Sequence, residues 1–386
     1  MLPPSLTAEI SLKAGKPSLA HSHFITVDAK SGAILGSRRE HTVVTISRRL
    51  DYDTVQKFHD TGKAPEEWSE AERGAIATLL DLSKAMRRHR METEQFIELP
   101  IPEIRVLCDE TTNRIEGLAR KFSREADNLV EEFMLAANSA VGEELVNSGV
   151  AGIFRVHPEP EPEKTVEFSE LMDEAFHLYP GNIADRKGCN KFIASLPDDP
   201  RRQVILSHLL RAMPRAGYSS RPQLHFALGK VRYCHFTSPI RRYSDLLVHQ
   251  QLWNYDLHKR TRSWRVLDAA ATQLSEQEER NDNAYYAAND RLKLRYLEEQ
   301  LDSGAVNCYE GVIVKVLNAG LQVDIGELGL YGFVPMEQLR GGAFRHGRRA
   351  VAERGEGSYS PGDYIYLKLA RVDFARGSAI FAPAGR

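Results

Sequence analysis

The sequence predicts an α+β protein in which helices and antiparallel strands are mixed and an all-β barrel of OB type follows. Three observations indicate this fold class: an alternating hairpin pattern near the start, long amphipathic segments in the first half, and short strands separated by glycine turns near the end. A chain of 386 residues is long enough for two or three domains, each with its own core.

Composition excludes several classes of protein. Lysine and arginine number 51 against 53 for aspartate and glutamate, a formal charge of −2, so any nucleic-acid surface must be a local patch or channel. The four cysteines lie far apart without CxxC spacing, which argues against a zinc site or disulfide framework and indicates a reducing cytoplasm. No apolar run approaches a membrane span and no signal pattern is present. We therefore expect a cytoplasmic location and no membrane partner.

The first predicted element is an antiparallel hairpin. Residues 24–28 alternate like a strand before a Lys30-Ser31-Gly32 turn, and residues 33–35 and 41–46 alternate after it. His21 and His23 are at strand spacing, but two imidazoles without a nearby carboxylate or thiol are too few for a metal site.

Two helices are predicted next, over residues 66–91 and 125–146. The face of the first that we expect to be buried consists of Trp68, Ala75, Leu79, Leu82 and Met86. Its final basic run, from Arg87 to Arg90, is expected to be solvated. Asn138 is unfavourable in the middle of the second helix, which indicates a specific hydrogen bond. Residues 264–301 predict one more long, highly charged helix.

The stretch from His235 to Gln250, HFTSPIRRYSDLLVHQ, carries the densest chemistry. Ser238 is a good N-cap and Pro239 suits the first helical position, so we predict a helix that begins there. Arg241 and Asp245 are four residues apart and can pair on one face. Free amides, a helix dipole and a guanidinium in one place suit a phosphate. The alternative from the residues alone is a capped surface helix with two solvated arginines.

This stretch resembles the HFTSPIRRY signature of the RNase II/RNase R (RNB) family, and the likeness extends upstream through Leu224 to Leu228. One departure is Gln250, where the family usually has arginine. The resemblance implies metal-dependent 3′→5′ exoribonucleolytic hydrolysis of single-stranded RNA to nucleoside monophosphates. It also implies that the catalytic Arg241 stabilises charge on the scissile or adjacent phosphate, with Ser238, Arg242 and Tyr243 beside it in RNA binding.

Three other segments resemble the family and imply further RNA contacts. The RLDYDTV segment places Tyr52 at the terminal nucleotide, and the LVEEFMLAAN segment places Glu132 in the RNA channel. The SEQEERND segment places Glu278 at the RNA backbone. The resemblance thus divides the chain into a partial RNB domain over residues 1–301 and an S1-like barrel over 302–386.

S1 barrels bind single strands through aromatic stacking and a basic groove. The resemblance makes Tyr309, Phe333 and Arg345 candidate RNA contacts, and for each aromatic residue packing in the barrel core is the alternative. A phenylalanine-rich motif found in many S1 domains is replaced here by Ala319-Gly320-Leu321, so one stacking platform is missing.

The family also implies magnesium, held by an aspartate-rich segment early in the catalytic domain. This sequence has no such segment and we identify no metal ligands in it. The chain opens with Met1-Leu2-Pro3, which in the family follows the aspartates. Three explanations remain: a start at an internal methionine, a separate aspartate-bearing polypeptide, or a non-catalytic RNA-binding or scaffold relative. We predict that this chain alone does not cleave RNA.

Overall fold

A computed structural model describes residues 2–109, 111–112, 114–305, 307–339, 343–346, 349–354 and 357–384. The chain divides into two compact units. The first unit contains Met1–Ile97, Ser123–Pro158 and Arg215–Glu278, and the second contains Glu98–Phe122, Glu159–Pro214 and Glu279–Arg386.

Helices and strands alternate along the described chain, which confirms the α+β class. The helices are α1 (Pro4–Ile10), α2 (Tyr52–Thr61), α3 (Glu70–Thr93), α4 (Glu125–Asn147), α5 (Pro162–Leu171), α6 (Arg186–Ser195), α7 (Arg201–Ala212), α8 (Tyr243–Asp256), α9 (Trp264–Asp302) and α10 (Met336–Leu339). The strands are β1 (Pro17–Val27), β2 (Ile34–Thr45), β3 (Glu103–Cys108), β4 (Ile115–Lys121), β5 (Phe154–Val156), β6 (Gly217–Ser219), β7 (Cys308–Leu317), β8 (Gly320–Ile325), β9 (Leu330–Pro335), β10 (Ala343–His346), β11 (Arg349–Arg354), β12 (Gly357–Tyr359), β13 (Tyr364–Asp373) and β14 (Ser378–Pro383).

The first unit contains the predicted hairpin, as the antiparallel pair β1 and β2. Asp28 closes the turn, because its Oδ1 accepts hydrogen bonds from the backbone N–H of Ser31 at 2.7 Å and of Lys30 at 3.1 Å. Gly32 has a φ of +77°, a conformation that favours glycine. Strand β1 begins well before residue 24, and β2 continues through residues 36–40 between its two predicted parts.

Helix α3 begins later than predicted and buries a different face. Ser69 and Glu72 form a capping box, in which each side chain bonds the other residue's backbone N–H, so the helix starts at Glu70 and not Glu66. The buried positions of the helix are Leu80, Ser83, Ala85, Met86 and Arg90, so only Met86 of the helical positions expected to be buried is fully buried. Apolar residues occupy adjacent positions along this segment, and periodicity alone cannot choose between faces one residue apart.

The core of the first unit joins α4, β5 and α8. Its buried members include Val141, Leu145, Phe154, Phe236, Val248 and Leu252. Because Phe236 belongs to the signature stretch, this stretch is packed into the core of the unit and is not a mobile surface loop.

The second unit contains a closed barrel with the strand order β13-β14-β9-β8-β7. Leu321, Val323, Val334, Leu367 and Phe381 fill its interior, and Leu294 and Leu297 of α9 pack against them. The predicted five-stranded barrel is confirmed. None of the helices in the described part of the chain has an apolar stretch long enough to cross a bilayer.

Candidate nucleic-acid interface

Asn138 holds the signature stretch from inside the first unit. It is only 2% exposed, and its Oδ1 accepts hydrogen bonds from the backbone N–H groups of Phe236 at 2.9 Å and Thr237 at 3.3 Å. Its Nδ2 donates to the Tyr233 hydroxyl at 3.0 Å. The specific hydrogen bond that we predicted for Asn138 is confirmed, and it fixes the backbone immediately before the arginines.

Two further contacts fix the same backbone. The ring of His249 on α8 stacks on Phe236 with centroids 4.1 Å apart and planes within 4°, and its Nε2 lies 2.8 Å from the Phe236 carbonyl oxygen. Gly142 on α4 has no Cβ, and a Cβ there would lie 2.2 Å from the Arg232 carbonyl oxygen. The helix can therefore approach this stretch so closely only with glycine at position 142.

The helix that follows the signature begins at Tyr243, which corrects the predicted start at Pro239. Asp245 is the reason, because its Oδ1 accepts a hydrogen bond from the backbone N–H of Ser238 at 2.8 Å and closes a turn ahead of the helix. Ser238 is thus bonded at its backbone and is not the N-cap, a position that Arg242 occupies. The unpaired amides of the first helical turn follow Arg242.

The two signature arginines have different environments. Asp245 is fully buried, and its carboxylate pairs with Arg242, with Nη2 to Oδ1 and Nε to Oδ2 both at 2.9 Å. The predicted pair between Arg241 and Asp245 is therefore wrong. Arg241 is exposed, and its side chain makes no hydrogen bond or ion pair with any residue that the structure describes, whereas its backbone N–H donates to the Ser238 carbonyl oxygen at 3.3 Å. One arginine of this pair is neutralised internally and the other remains available for an external anion.

A further arginine, Arg155 on the short strand β5, has contacts that the sequence did not indicate. Arg155 lies opposite Tyr218 in the register, with its guanidinium 4.8 Å from the ring centroid. It also forms an ion pair with Glu278, whose side chain is 31% exposed. Glu278, predicted to hold the RNA backbone, is thus occupied by an arginine of this chain.

His235 contacts the Arg155–Tyr218 pair and is also affected by the charge of Arg242. The Tyr218 hydroxyl lies 3.0 Å from its Nδ1. Burial, followed by the charges of Arg242 and Arg155, lowers the pKa of His235 to about 2. His235 is therefore neutral at physiological pH and adds no positive charge beside Arg155 and Arg242.

Glu132 is buried and does not face a channel in this unit. Its carboxylate accepts hydrogen bonds from Arg90 Nη2 at 2.7 Å and Nε at 2.8 Å, and Arg87 Nη1 lies 3.3 Å away. The Glu132 side chain is fully buried and that of Arg90 is 9% exposed. The Glu132 carboxylate is thus occupied by an internal ion pair, and the prediction that the basic run is solvated is wrong for Arg90, whereas Arg88 is exposed.

Two predicted tyrosines lie at the surface of the first unit. Tyr52 is the first residue of α2 and is 45% exposed, and Tyr243 is the first residue of α8 and is 44% exposed. Asp51 caps α2, since its carboxylate accepts from the Thr54 backbone N–H at 2.8 Å. Both tyrosine rings thus stand at helix N-termini, where amides and aromatic faces occur together.

The structure brings three potential metal ligands together: His21, His41 and Asp256 have ligand atoms within 4.8 Å of one another. Asp256 is the carboxylate near His21 that the sequence did not indicate. Arg39, however, lies among them. It donates one hydrogen bond to the His21 ring, and it donates two to the Asp256 carboxylate, at 2.6 and 2.8 Å. Burial and the Arg39 charge lower the pKa of His21 to about 3. The Arg39 guanidinium already neutralises the Asp256 carboxylate.

This cluster does not fit the magnesium that the family implies. Magnesium prefers six oxygen ligands, whereas these are two imidazoles and one carboxylate beside a cation. The carboxylate of Asp245, four residues after Arg241, is committed to Arg242. Among the described residues, therefore, no group suits a magnesium ion next to the signature arginines.

The candidate RNA contacts in the barrel of the second unit have different environments. Tyr309 is 6% exposed and packs edge to face on Phe381 at 5.9 Å, so it belongs to the barrel core and is not available to a base. Phe333 and Tyr331 share a half-buried face of β9, and the guanidinium of Arg211 lies 4.7 Å from the Tyr331 ring centroid. The side chain of Arg345 lies outside the described residues.

Comparisons with known proteins agree with a mixed helix-and-strand region followed by a barrel. The family model described as the RNB domain matches residues 1–257, and the model described as the S1 RNA binding domain matches residues 305–382. Ribonuclease R of Thermotoga maritima is 28% identical over 398 aligned residues, which cover 99% of this chain and 54% of the relative. Ribonuclease R 1 of Lactococcus lactis is 27% identical over 364 residues, 91% of this chain and 43% of the relative. The chain thus spans about half the length of these relatives.

Solved structures share the fold. RNase R of Mycoplasma genitalium, in complex with ribose methylated single-stranded RNA, superposes with a TM-score of 0.88 at 23% identity, over 99% of this chain and 60% of that one. Yeast Ssd1, described as a pseudonuclease, gives a TM-score of 0.70 at 21% identity, over 92% and 44% of the two chains. Since the RNB domain model matches well over half of the sequence, this chain belongs to the RNB domain family, and an S1 RNA binding domain follows.

Proposed function

We propose that this chain binds single-stranded RNA and holds one of its phosphates at Arg241. The observation that carries the proposal is the pairing of the arginines. Arg242 is neutralised by Asp245 and Arg155 by Glu278, so the exposed Arg241 supplies the uncompensated charge. A guanidinium fixed at a helix start suits a phosphate, because it donates in a planar fork beside the unpaired amides of the first turn.

Aromatic residues would supply the remaining contacts. Tyr52 and Tyr243 expose nearly half of their side chains in the first unit, and Phe333 lies half-buried on the barrel. Base stacking on such rings tolerates any sequence, since every base has an aromatic face. We therefore expect binding of single strands with little sequence preference at these positions.

As an RNB-family protein the chain would take part in exoribonucleolytic hydrolysis from the 3′ end, in which Arg241 stabilises charge on the phosphate. The carboxylates that hold metal ions for this reaction would come from a separate aspartate-bearing segment, because the group of potential metal ligands found among the described residues, His21, His41 and Asp256, does not suit magnesium. A non-catalytic RNA-binding relative is the second candidate. The same lack of carboxylates favours it, as does the likeness in fold to a protein described as a pseudonuclease.

Arg241→Ala is expected to weaken RNA binding without changing stability. Loss of a charge-assisted hydrogen bond costs about 1.5–3 kcal/mol, or roughly tenfold or more in affinity. The slope of log affinity against log salt should fall by about 0.7, because one fewer phosphate is neutralised. Fluorescence anisotropy of a labelled oligouridylate across a salt series measures both quantities. Equal affinity and slope in the wild-type chain and Arg241→Ala would contradict the proposal.

The purified chain with magnesium is expected to release no nucleoside monophosphates from a 3′ end. Adding a fragment of an RNB-family relative that carries the aspartates should restore release if the chain is half of a split active site. Release should then fall in Arg241→Ala. If the fragment restores nothing while RNA binding is intact, the non-catalytic function is favoured. Chromatography of the digestion products distinguishes these outcomes.

A further inference from the structure

A groove of about 660 Å³ lies between one end of the β1–β2 hairpin and helix α8, within the first unit. Its size is in the range of pockets that hold a small ligand. Leu19 and Val43 face each other across the hairpin and form an apolar wall, with 85% and 66% of their surfaces exposed. None of the residues proposed above to contact RNA lines this groove.

Trp253 provides a fixed aromatic surface in the groove. Its side chain is 49% exposed, and its ring lies 4.5 Å from the ring of His41 with a tilt of 35°. His41 Nε2 is 2.6 Å from Asp256 Oδ2, and Asp256 is in turn held by Arg39. The tryptophan is therefore supported from one side by a hydrogen-bonded network and remains accessible to a planar ligand.

Gln250 lies one helical turn before Trp253 and lines the same groove. Its Oε1 is buried from solvent and has no hydrogen-bond partner among the described residues. A buried acceptor without a donor is unfavourable, so a ligand that brings an N–H group there would be bound favourably. A glutamine amide can accept from N6–H of adenine and donate to N7 at the same time, which is the pairing that glutamine commonly makes with adenine.

Arg262 adds a positive charge at the edge of the groove. Its backbone is clamped to α8 by Gln251, whose Oε1 accepts from the Arg262 N–H at 2.9 Å and whose Nε2 donates to the Arg262 carbonyl at 3.0 Å. The side chain is exposed and forms no hydrogen bond or ion pair with any described residue. The clamp keeps this guanidinium at the groove, where it can bind a phosphate.

We propose that this groove binds an adenine nucleotide, with the base stacked on Trp253, its edge bonded to the Gln250 amide and its phosphate at Arg262. A polypeptide would cover Leu19 and Val43 equally well, but an apolar segment would leave the Gln250 acceptor and the Arg262 charge without partners. The combination of ring, amide and cation is the one that a nucleotide satisfies. The residues that line this site do not include Arg241.

The test is a titration of the full chain with AMP, followed by tryptophan fluorescence in a Trp264→Phe background. Of the three tryptophans, Trp68 is buried, and Trp264 is flanked by the guanidinium groups of Arg221 and Arg265 at 4.8 and 5.5 Å. Trp253 then becomes the accessible reporter. We expect AMP to quench its emission, and ribose 5-phosphate to bind about tenfold more weakly because it has no base to stack on Trp253.

Gln250→Ala and Arg262→Ala are each expected to weaken AMP binding about tenfold, while Arg241→Ala leaves it unchanged. Arg262 is exposed, so this variant tests the site even if Gln250→Ala fails to fold. Oligoadenylate that binds more tightly than AMP would identify a single strand as the source of the nucleotide, and equal affinities would identify the free nucleotide.

No quenching by AMP or oligoadenylate, or equal affinities for AMP in the wild-type chain and both groove variants, would overturn the proposal. Self-association in sedimentation that Trp253→Ala abolishes and AMP does not affect would also overturn it, by showing that a second copy covers the groove. Loss of AMP binding in Arg241→Ala alone would place the nucleotide at the signature site instead. These outcomes are distinguishable from failure of the RNA-binding proposal, which is measured with oligouridylate.

Discussion

Arg90→Ala is expected to destabilise the first unit by about 3–5 kcal/mol, because it leaves the carboxylate of Glu132 buried without its main partner. The Glu132 side chain is fully buried and receives two hydrogen bonds from Arg90 at 2.7 and 2.8 Å. Arg90 also lies 4.0 Å from the Phe96 ring centroid, a contact that alanine removes. The single 3.3 Å contact from Arg87 places the expected loss towards the lower end.

Arg88→Ala is the matched control, because Arg88 is exposed on the same helix and has no ion pair with the described residues. It should change stability by less than about 0.5 kcal/mol. Urea unfolding followed by tryptophan emission suits this comparison, since all three tryptophans belong to the first unit. Equal urea midpoints for the two variants would show that the Glu132 pair contributes no net stability.

Asp245→Ala is expected to cost a similar 3–5 kcal/mol and also to weaken RNA binding. Asp245 is fully buried and neutralises Arg242, accepts from the Ser238 backbone N–H and accepts from the Ser244 hydroxyl at 3.0 Å. Its removal leaves the Arg242 guanidinium, whose side chain is 20% exposed, without its partner and opens the turn that presents Arg241. Urea unfolding and oligouridylate anisotropy measure the two effects on one preparation.

The Asp245→Asn variant distinguishes the effect of the negative charge of Asp245 from the effect of its hydrogen bond with Ser238. The amide oxygen can still accept from Ser238, so the turn should persist while the charge on Arg242 goes unbalanced. We expect intermediate stability and RNA affinity above that of Asp245→Ala. Arg241→Ala serves as the control in the same turn, because it shortens an exposed arginine without leaving a buried charge. If Asp245→Ala were as stable as Arg241→Ala, the buried pair would not be what holds the turn.

The sequence was sufficient where the relevant signal is local. Alternating residues and a Lys30-Ser31-Gly32 turn predicted the hairpin, and glycine-separated strands predicted the barrel, because strand and turn preferences depend on near neighbours. The helix over 125–146 was predicted to within a residue of Glu125–Asn147. The poor helix propensity of Asn138 correctly indicated a hydrogen bond. An ungapped signature, HFTSPIRRY, was specific enough to indicate the family.

The sequence was insufficient where a side chain had a choice of partners. Spacing allowed Arg241 to pair with Asp245, but Arg242 lies closer in the folded turn and takes the carboxylate. Ser238 has the residue type of an N-cap, yet its backbone N–H bonds to Asp245 and the helix starts at Tyr243. Helical periodicity places a residue on a face but does not say which neighbouring element will cover that face.

By itself, then, the sequence determined the family, the α+β class, the main helices, the hairpin and the barrel, because these follow from local preferences and a contiguous motif. Only the tertiary structure decided which charges remain unpaired. It enclosed Glu132 with Arg90, placed Tyr309 in the barrel core, brought Arg155 opposite Tyr218, and set Trp253, Gln250 and Arg262 around one groove. These contacts join residues distant in the chain, and burial and ion pairing between them depend on packing that no local pattern records.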